Sequence, residues 1–488
     1  MEMTFFMRRV VAALAALDER MQKYRLLLGA LFALLLAGGF ALMSVYAGPI
    51  YNLNDIGTFK NRVLFILMTA AVYALLLVLA AALHRGSVYR MFLRQMIVTA
   101  GLLILLVGIN QKTYFYNENM QPLIRAMDAQ GMGAMAGWKT NLSVPAMTLM
   151  YLVTRGPVYD MYSVKLLCIA AFLLLCLLTA VVADRRGMGL RADVLLALCV
   201  ILPAGFISAG CTALLDVVCA ALLAASLTLA LREKDCRWGM RAAAALYGCA
   251  LAMSGLALYA LPVFAYLALN RRMTARELIA ALVIPVLACV PAVLAGVPAG
   301  EAMLSLLKAN FALPEYAAGA PNMLSMIPRA VVEEMPGIFM LEKLPAIDAV
   351  TNAQPYYTQG HFEITALGFA IAGIAIYGGM CAWLWQKKEM TGTAKVFALT
   401  LCALIVCPGA TNGAWIAAGL MSLYAICDEK ALRLPACLVL FAVCGSALYP
   451  MLKETLLPMI AAFALCLCAL LMILEIIPTT LSVKENEN

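Results

Sequence analysis

The chain has 488 residues, of which 65% are hydrophobic and only 13% are charged, and its mean hydropathy is +0.92. Soluble proteins carry about a quarter charged residues, so this composition excludes a soluble globular protein and indicates a polytopic helical membrane protein. The net charge of +8 calls for no nucleic-acid partner, because the basic residues cluster where membrane topology requires them.

The N-terminal residues 1–25 are basic and lead into the first long apolar run, "LLLGALFALLLAGGFALMSVY". Because no small-residue cleavage site follows this run, we expect it to be retained as a membrane span. The basic segment before it either forms an amphipathic helix on the cytoplasmic membrane surface or is a solvated positive flank.

Clusters of lysine and arginine predict the topology of the remaining chain, because such clusters mark cytoplasmic loops. They recur in "HRGSVYRMFLR", "DRRGMGLR", "LREKDCRWGMR", "NRRMTARE", "QKKEMTGTAK" and "DEKALR". The runs between them predict an all-α polytopic membrane protein, a bundle of roughly 14 transmembrane or re-entrant helices over residues 26–478. Both termini, including the tail at 479–488, are expected on the cytoplasmic side of a bacterial cytoplasmic membrane.

Two stretches between basic clusters, residues 242–269 and 396–427, must each cross the membrane twice. At 1.5 Å of rise per residue, each arm is short for a full span. We therefore predict short helical hairpins, broken at Ser254 and Gly255 in the first stretch and at Pro408 and Gly409 in the second.

Two large outer loops remain, at about 110–161 and 296–363. Loops of that size in a compact protein are usually functional. In the first loop, Met120, Leu123, Ile124 and Met127 fall on one helical face. They predict a helix that lies flat at the membrane interface and ends near Gly131 and Gly133. Such a surface suits an enzyme acting on lipid-linked substrates, and it equally suits a lid on the bundle.

The cysteines and histidines predict neither a metal site nor a disulfide framework. The 16 cysteines are scattered through apolar runs, and the two histidines, His84 and His361, are far apart in sequence. Cysteine in such runs behaves as a small buried hydrophobic residue, and no spacing here indicates zinc or disulfides.

Several short motifs follow one another in a recognisable order between residues 102 and 427. They are Pro122-Leu123 with Gly131, then "RGPVYDMYSVKLLCIAAFLLL", "CTALLDVVCAALLAASLTLAL" with Asp216, "LAMSGLALYALPVFAYLAL", and "GAPNMLSMI" with Asn322. This order resembles the GT-C superfamily of membrane glycosyltransferases, most closely bacterial mannosyltransferase-like proteins similar to the eukaryotic GPI mannosyltransferase. The resemblance implies a GT-C-like bundle that takes a sugar from a polyprenyl-phosphate carrier on the outer membrane face.

The chain departs from the family pattern at the positions that carry the chemistry. Phe115 and Tyr116 stand where the family has its catalytic aspartate, and Leu214 replaces the glutamine that precedes Asp216. Ser254 replaces a lysine of the short hairpin, and the family's His-Glu-Arg-Tyr segment corresponds to "PGATNGAW". The acid, base and cation positions of the family have therefore largely lost their chemistry.

An inverting glycosyl transfer needs a carboxylate base and cationic groups that hold the departing phosphate. We predict Asp55 or Glu118 as the base; the alternatives are a helix cap or loop acid for Asp55 and a first-turn helix residue for Glu118. Further candidates for substrate contact are polar groups predicted near the outer face: Asp160, Asp216, Asn322, Arg125 and Arg329.

Each of these further candidates also has a structural interpretation. Asp160 fits a helix cap, Asp216 a buried hydrogen bond and Asn322 an ordinary turn. The two arginines, proposed as phosphate ligands, fit headgroup anchors equally well. Asp128 is expected to pair with Arg125 on the polar face of the flat helix.

The leading functional hypothesis is a membrane glycosyltransferase that transfers a sugar, mannose being one candidate, from polyprenyl phosphate to an envelope glycan or glycolipid. Its expected partners are membrane lipid, the lipid-linked sugar and the acceptor; no cofactor is expected, because the lipid-linked sugar is a co-substrate. The first alternative is a catalytically inactive GT-C relative that binds lipid-linked sugar or scaffolds envelope assembly. The second is a transporter of lipid-linked oligosaccharide, which would need a polar path through spans that carry few charges.

Overall fold

A computed structural model gives the fold of most of the chain. It describes residues 16–46, 58–84, 86–113, 116–136, 142–156, 160–230, 237–269, 273–311, 355–359, 362–387, 390–406, 412–448, 460–470 and 472. Of the predicted site residues, Asp55, Asn322 and Arg329 lie outside these ranges, as do the predicted N-terminal segment before residue 16 and the predicted C-terminal tail.

The described residues are predominantly helical. In the first half, the α-helices are α1 (Arg25–Tyr46), α2 (Phe59–Leu83), α3 (Val88–Val107), α4 (Gln121–Gln130), α5 (Val144–Thr154), α6 (Asp160–Arg185), α7 (Leu190–Val200) and α8 (Asp216–Ala230). In the second half, they are α9 (Arg237–Met253), α10 (Leu261–Leu269), α11 (Ala275–Leu294), α12 (Ala299–Phe311), α13 (Ala366–Gln386), α14 (Gly392–Val406), α15 (Asn412–Asp428), α16 (Arg433–Ala447) and α17 (Ile460–Leu470). One short antiparallel hairpin, β1 (Pro355–Gln359) and β2 (Phe362–Thr365), precedes α13 in this otherwise helical fold, and the all-α prediction is confirmed.

Five of the described helices are long and apolar enough to cross a membrane: α1, α2, α3 with its 3-10 extension Gly108–Asn110, α6 and α11. A sixth candidate is the pair formed by α7 and Pro203–Cys211, which is bent by 45°. The most hydrophobic stretch of α6 is 72% buried, against 22% for those of α1 and α11. The helix α6 is therefore the central span, and α1 and α11 present most of their surface to the surroundings.

The first predicted helical hairpin is broken where the sequence indicates. The helix α9 ends at Met253, the backbone continues as a 3-10 helix over Gly255–Ala260, and α10 follows. For the second hairpin, α14 ends at Val406 and α15 begins at Asn412, while Pro408 and Gly409 lie outside the described residues.

Buried charges join α3, α6 and α7 at one end of the bundle. Arg94 is 1% exposed; its Nε donates to Oδ1 of Asp193 at 2.5 Å, and its Nη2 lies 2.5 Å from Oδ2 of Asp184. Arg90, one turn earlier on the same face of α3, donates from Nε to Oδ2 of Asp193 at 2.6 Å and from Nη2 to Oδ1 of Asp184 at 3.1 Å. Two cations therefore neutralise two carboxylates in a site almost closed to solvent.

His84, the residue after α2, borders these charges. Its ring is fully buried, its Nε2 lies 3.1 Å from the carbonyl oxygen of Ser87, and its Nδ1 lies 3.9 Å from Oδ2 of Asp184. We call His84, Arg90, Arg94, Asp184 and Asp193 the charge cluster. The cluster lies at the end that the positive-charge pattern predicts to be cytoplasmic.

Candidate functional site

The helix predicted in the segment 110–161 is α4. Leu123, Ile124 and Met127 are all 1% exposed or less, whereas Arg125 and Asp128 are exposed. This division confirms the predicted apolar face, because apolar residues spaced by three and four positions share one side of a helix. A single π-helical turn, Tyr116–Met120, leads into α4. We call the segment from this turn to the end of α5 the platform.

Gly131 ends α4 as the sequence predicts. Its φ of +68° and ψ of −156° lie in a region open to glycine and costly for other residues, and its N–H donates to the carbonyl of Met127. A 3-10 helix over Gly131–Met135 then turns the chain toward α5, whose 11 residues are too few to cross a membrane. The helix α5 instead packs beside α6 and α11 within the bundle.

An arginine from the end of α5 holds α4 in place. Nη2 of Arg155 donates to the carbonyl of Met127 at 2.7 Å and lies 3.5 Å from Oδ1 of Asp128, and its guanidinium stacks on the ring of Tyr151. The expected pairing of Asp128 with Arg125 is therefore wrong. Arg125 is exposed on the polar face and makes no ion pair with another described residue.

Ser143 anchors the start of α5 to two other helices. Its Oγ accepts from the N–H of Ala146 at 3.1 Å as an N-cap and donates to the carbonyl of Ala252, near the end of α9, at 2.5 Å. The N–H of Val144 donates to Oγ of Ser305 in α12 at 2.9 Å. This junction fixes the platform against the broken hairpin and against α12.

Lys165 is a buried cation that the sequence analysis did not place in the site. It is fully buried in α6, and its Nζ donates to the carbonyl of Ile109 at 2.9 Å, to that of Gly108 at 3.3 Å and to that of Gln111. These carbonyls end α3 and its 3-10 extension, where the helix has acceptors without helical partners. Lys165 therefore acts as a helix C-cap and is not available to hold a phosphate.

Two tyrosines fill the space beside this cap. The hydroxyl of Tyr162 donates to Oδ1 of Asn110 at 2.7 Å, and Tyr162 itself is fully buried. Tyr116 is 1% exposed and belongs to the core. An aromatic side chain therefore packs in the turn that leads into α4.

The backbone before α8 is the most irregular in the described bundle. A π-helix runs from Phe206 to Cys211, and Ala213 has a φ of +60°, where a side chain is strained. Oγ1 of Thr212 donates back to the carbonyl of Ile207 at 2.9 Å. π-Helical turns and strained residues occur frequently at functional sites. This turn places Asp216 at the first position of α8.

Asp216 is partly exposed, although its neighbours Leu215 and Val217 are buried. Its carboxylate is close enough to the thiols of Cys168 in α6 and Cys219 in α8 for electrostatic interaction. Cys168 donates to the carbonyl of Leu214, which ties the strained turn to α6. Asp216 also interacts with its surroundings, and it lies between buried neighbours in the chain.

Cys219 connects this site to the broken hairpin. Its Sγ lies 3.4 Å from the carbonyl of Ala250 and 3.8 Å from that of Ser254. The structure therefore brings Asp216 and the hairpin residue Ser254 to the same region through Cys219. Among the residues that the structure describes, no group of three histidine, cysteine or carboxylate side chains is arranged to hold a metal ion.

The other predicted site residues are only partly placed. Glu118 lies in the π-helical turn before α4, and Asp160 begins α6, but their side chains are outside the described set. Their backbones put both residues at the same end of the bundle as Asp216 and Arg125. A comparison with family models, with curated proteins and with solved structures finds no match to this chain.

Proposed function

We propose that the chain is an integral membrane glycosyltransferase-like protein that acts at the platform end. Its substrate would be a sugar on polyprenyl phosphate, and its acceptor an envelope glycan or glycolipid. The observation that carries this proposal is the partly exposed Asp216, which follows a strained turn. A carboxyl group at membrane depth is a candidate for function, because burying it without a role is costly.

The chemistry assigned to this site is general-base catalysis. The carboxylate of Asp216 would take the proton of the acceptor hydroxyl as that oxygen attacks the anomeric carbon, while the bond to the phosphate breaks. Glu118 and Asp55 remain the bases predicted from sequence. Arg125, which is exposed on α4, is the cation we assign to the departing phosphate; Lys165 caps α3 and Arg155 holds α4.

The platform supports this function through its position. Its apolar face is buried in the bundle and its polar face carries Arg125, so substrates with a charged head and a lipid tail could meet it at headgroup height. The bacterial cell envelope enters this proposal from the sequence pattern and from the family resemblance.

A second candidate function is a non-catalytic binder of lipid-linked sugar. The buried Tyr116 favours it, because an aromatic side chain fills the position at which the resembled family has its aspartate. In this alternative, Asp216 has a structural role. A carboxylate at the first position of a helix is stabilised by the helix dipole and can bond free N–H groups.

The experiment is transfer of radiolabelled sugar from a panel of polyprenyl-phosphate sugars in proteoliposomes. Asp216→Asn is the main variant, because asparagine keeps the capping ability and removes the charge. Asp55→Asn and Glu118→Gln test the alternative bases, and Asp128→Asn is the matched control on the polar face of α4. Loss of transfer in one of the first three variants, with the control active, identifies the base.

Two other outcomes would reject catalysis. Saturable binding of one donor without transfer would establish the binder. If the protein neither binds nor transfers any donor of the panel, the family resemblance is one of architecture alone.

A further inference from the structure

The opposite end of the bundle carries an exposed basic and aromatic patch at the starts of α9 and α11. Arg237, Trp238 and Arg241 lie in the first turns of α9, and Arg276 lies in the first turn of α11. All four are exposed, and Trp238 is 76% exposed. The guanidinium of Arg241 lies 5.5 Å from the centre of the Trp238 ring. Within the described part of the chain, none of the three arginines forms an ion pair with a carboxylate.

The helices α9 and α11 are in close contact. A Cβ on Gly248 of α9 would lie 2.7 Å from the carbonyl oxygen of Ala281 and 2.8 Å from Cβ of Ile284, so only glycine permits this approach. The contact fixes the position of the two helices relative to each other along the bundle axis, because Gly248 lies at the height of Ala281 and Ile284.

The two helices also run in the same direction. Four residues beyond Gly248, the carbonyl of Ala252 meets the Ser143 junction, which is bonded to Ser305 of α12. The helix α12 folds back on the second half of α11, where Sγ of Cys289 lies 3.7 Å from the carbonyl of Ala302. The later part of α9 therefore meets the later part of α11, and both helices begin at the same end.

This arrangement brings Arg241 and Arg276 to one height. Arg241 precedes Gly248 by seven residues, or about 10 Å along the helix, and Arg276 precedes Ala281 and Ile284 by a rise of about 8 to 12 Å. Seven residues are almost two full turns, so Arg241 projects from nearly the same side of α9 as Gly248, the side that faces α11. Two exposed arginines therefore lie at one level at the starts of the two helices.

We propose that Arg241, Arg276 and Trp238 form a binding site for the phosphate of an anionic glycerophospholipid. A guanidinium group can donate two parallel hydrogen bonds to the oxygens of one phosphate, and tryptophan rings are enriched at the headgroup level of a bilayer. The adjacent stretch of α11 supplies the apolar surface for acyl chains, since Ile279, Leu282 and Val283 are exposed. The site is independent of the proposed glycosyl transfer, which lies at the platform end.

The test uses quenching of Trp238 fluorescence by brominated lipids in nanodiscs. The chain has five tryptophans, so Trp138, Trp383, Trp385 and Trp415 are replaced by phenylalanine. Brominated phosphatidylglycerol is titrated into phosphatidylcholine, with brominated phosphatidylcholine as the neutral probe. We expect phosphatidylglycerol to quench Trp238 at mole fractions well below those at which phosphatidylcholine does, and unlabelled phosphatidylglycerol to reverse the quenching.

Variants then assign the binding to the two arginines. Arg241→Gln and Arg276→Gln should each weaken the apparent affinity about fivefold, the contribution of one basic residue near anionic lipid. Arg191→Gln, an exposed arginine at the start of α7, is the matched control and should leave the affinity unchanged. Thermal unfolding of each variant shows whether it is folded. The competition between labelled and unlabelled lipid uses the chain with its native arginines, so it tests the proposal even if an arginine variant does not fold.

Three results would overturn the proposal. Equal quenching by the two brominated lipids would show that no headgroup is selected. An equal loss of affinity in Arg191→Gln would show only general attraction to a charged surface. Displacement of phosphatidylglycerol by millimolar inorganic phosphate, at constant ionic strength, would indicate a site for free phosphate and not for lipid.

Discussion

Replacing Arg94 by methionine should strongly destabilise the bundle, because it removes one of the two cations of the charge cluster. Arg94 contacts carboxylate oxygens of both Asp184 and Asp193 at 2.5 Å. In Arg94→Met, Arg90 alone would face two carboxylates, and a buried site that is now neutral would carry a net negative charge. Methionine replaces the aliphatic part of the arginine side chain, so most of the apolar packing is retained.

The expected loss follows from the number of contacts. Opposite charges about 4 Å apart interact by about 4 kcal/mol at an effective dielectric constant of 20, so the two pairs set an upper bound of about 8 kcal/mol. Removing the arginine also ends the cost of burying it, which lowers the net effect. Breaking a buried pair from one side costs ~3–5 kcal/mol, and we expect Arg94→Met to fall in that range.

The assay is the free energy of unfolding in mixed micelles, with Arg191→Gln as the control because Arg191 is exposed at the same end of the bundle. Arg94→Lys should also be destabilised, since an ammonium lacks the fork that reaches two carboxylates. In the double variant with Asp193→Asn, part of the loss should be recovered, because one unpaired carboxylate is gone. A loss below ~1 kcal/mol for Arg94→Met would refute the buried-pair argument.

Three further predictions concern pH and packing. Burial, and then the positive charge of Arg94, lower the pKa of His84 below its ordinary 6.5. The unfolded chain therefore binds the proton more readily than the folded chain. The free energy of unfolding should fall as the pH drops from 7 through 6.5. His84→Gln should flatten this slope in melting temperatures measured from pH 5 to 8, and an unchanged slope would contradict the assignment. Lys165→Met leaves three carbonyls without their donor and should cost ~3 kcal/mol in the same micelle assay, whereas a neutral result would mean that water replaces the cap. Gly248→Ala should cost ~1–3 kcal/mol because its Cβ meets the backbone of Ala281; a stability equal to that of the native chain would show that α9 and α11 can separate freely.

The sequence predicts those parts of the fold that depend on local patterns. The buried face of α4 follows from the spacing of Leu123, Ile124 and Met127, and its end follows from Gly131. The break after α9 follows from the shortness of the arm and from Gly255. These features are set by residues within a few positions of one another, so a pattern of period 3.6 and a helix-breaking residue are enough.

Non-local partners account for most of what the sequence does not predict. Arg94 and Asp193 are 99 positions apart. Arg94 ends one basic cluster and Asp193 follows another, so nothing local marks them as a pair. Asp128 pairs with Arg155 and not with its near neighbour Arg125, because the end of α5 lies against α4. The π-helix before Ala213 has no signal either, since it contains no proline or periodic break.

The helix pair α3 and α6 links the two ends of the bundle through buried cations. At one end, Arg94 of α3 meets Asp184 of α6; at the other, Lys165 of α6 caps the end of α3. Cys168 lies one turn beyond Lys165 in α6, and its thiol donates to the carbonyl of Leu214 in the strained turn before Asp216. A variant at Lys165 should therefore displace Asp216 and impair the proposed transfer even where the chain still folds. A folded variant at Arg94, about 30 Å away along α6, should lose stability and keep its activity per folded molecule.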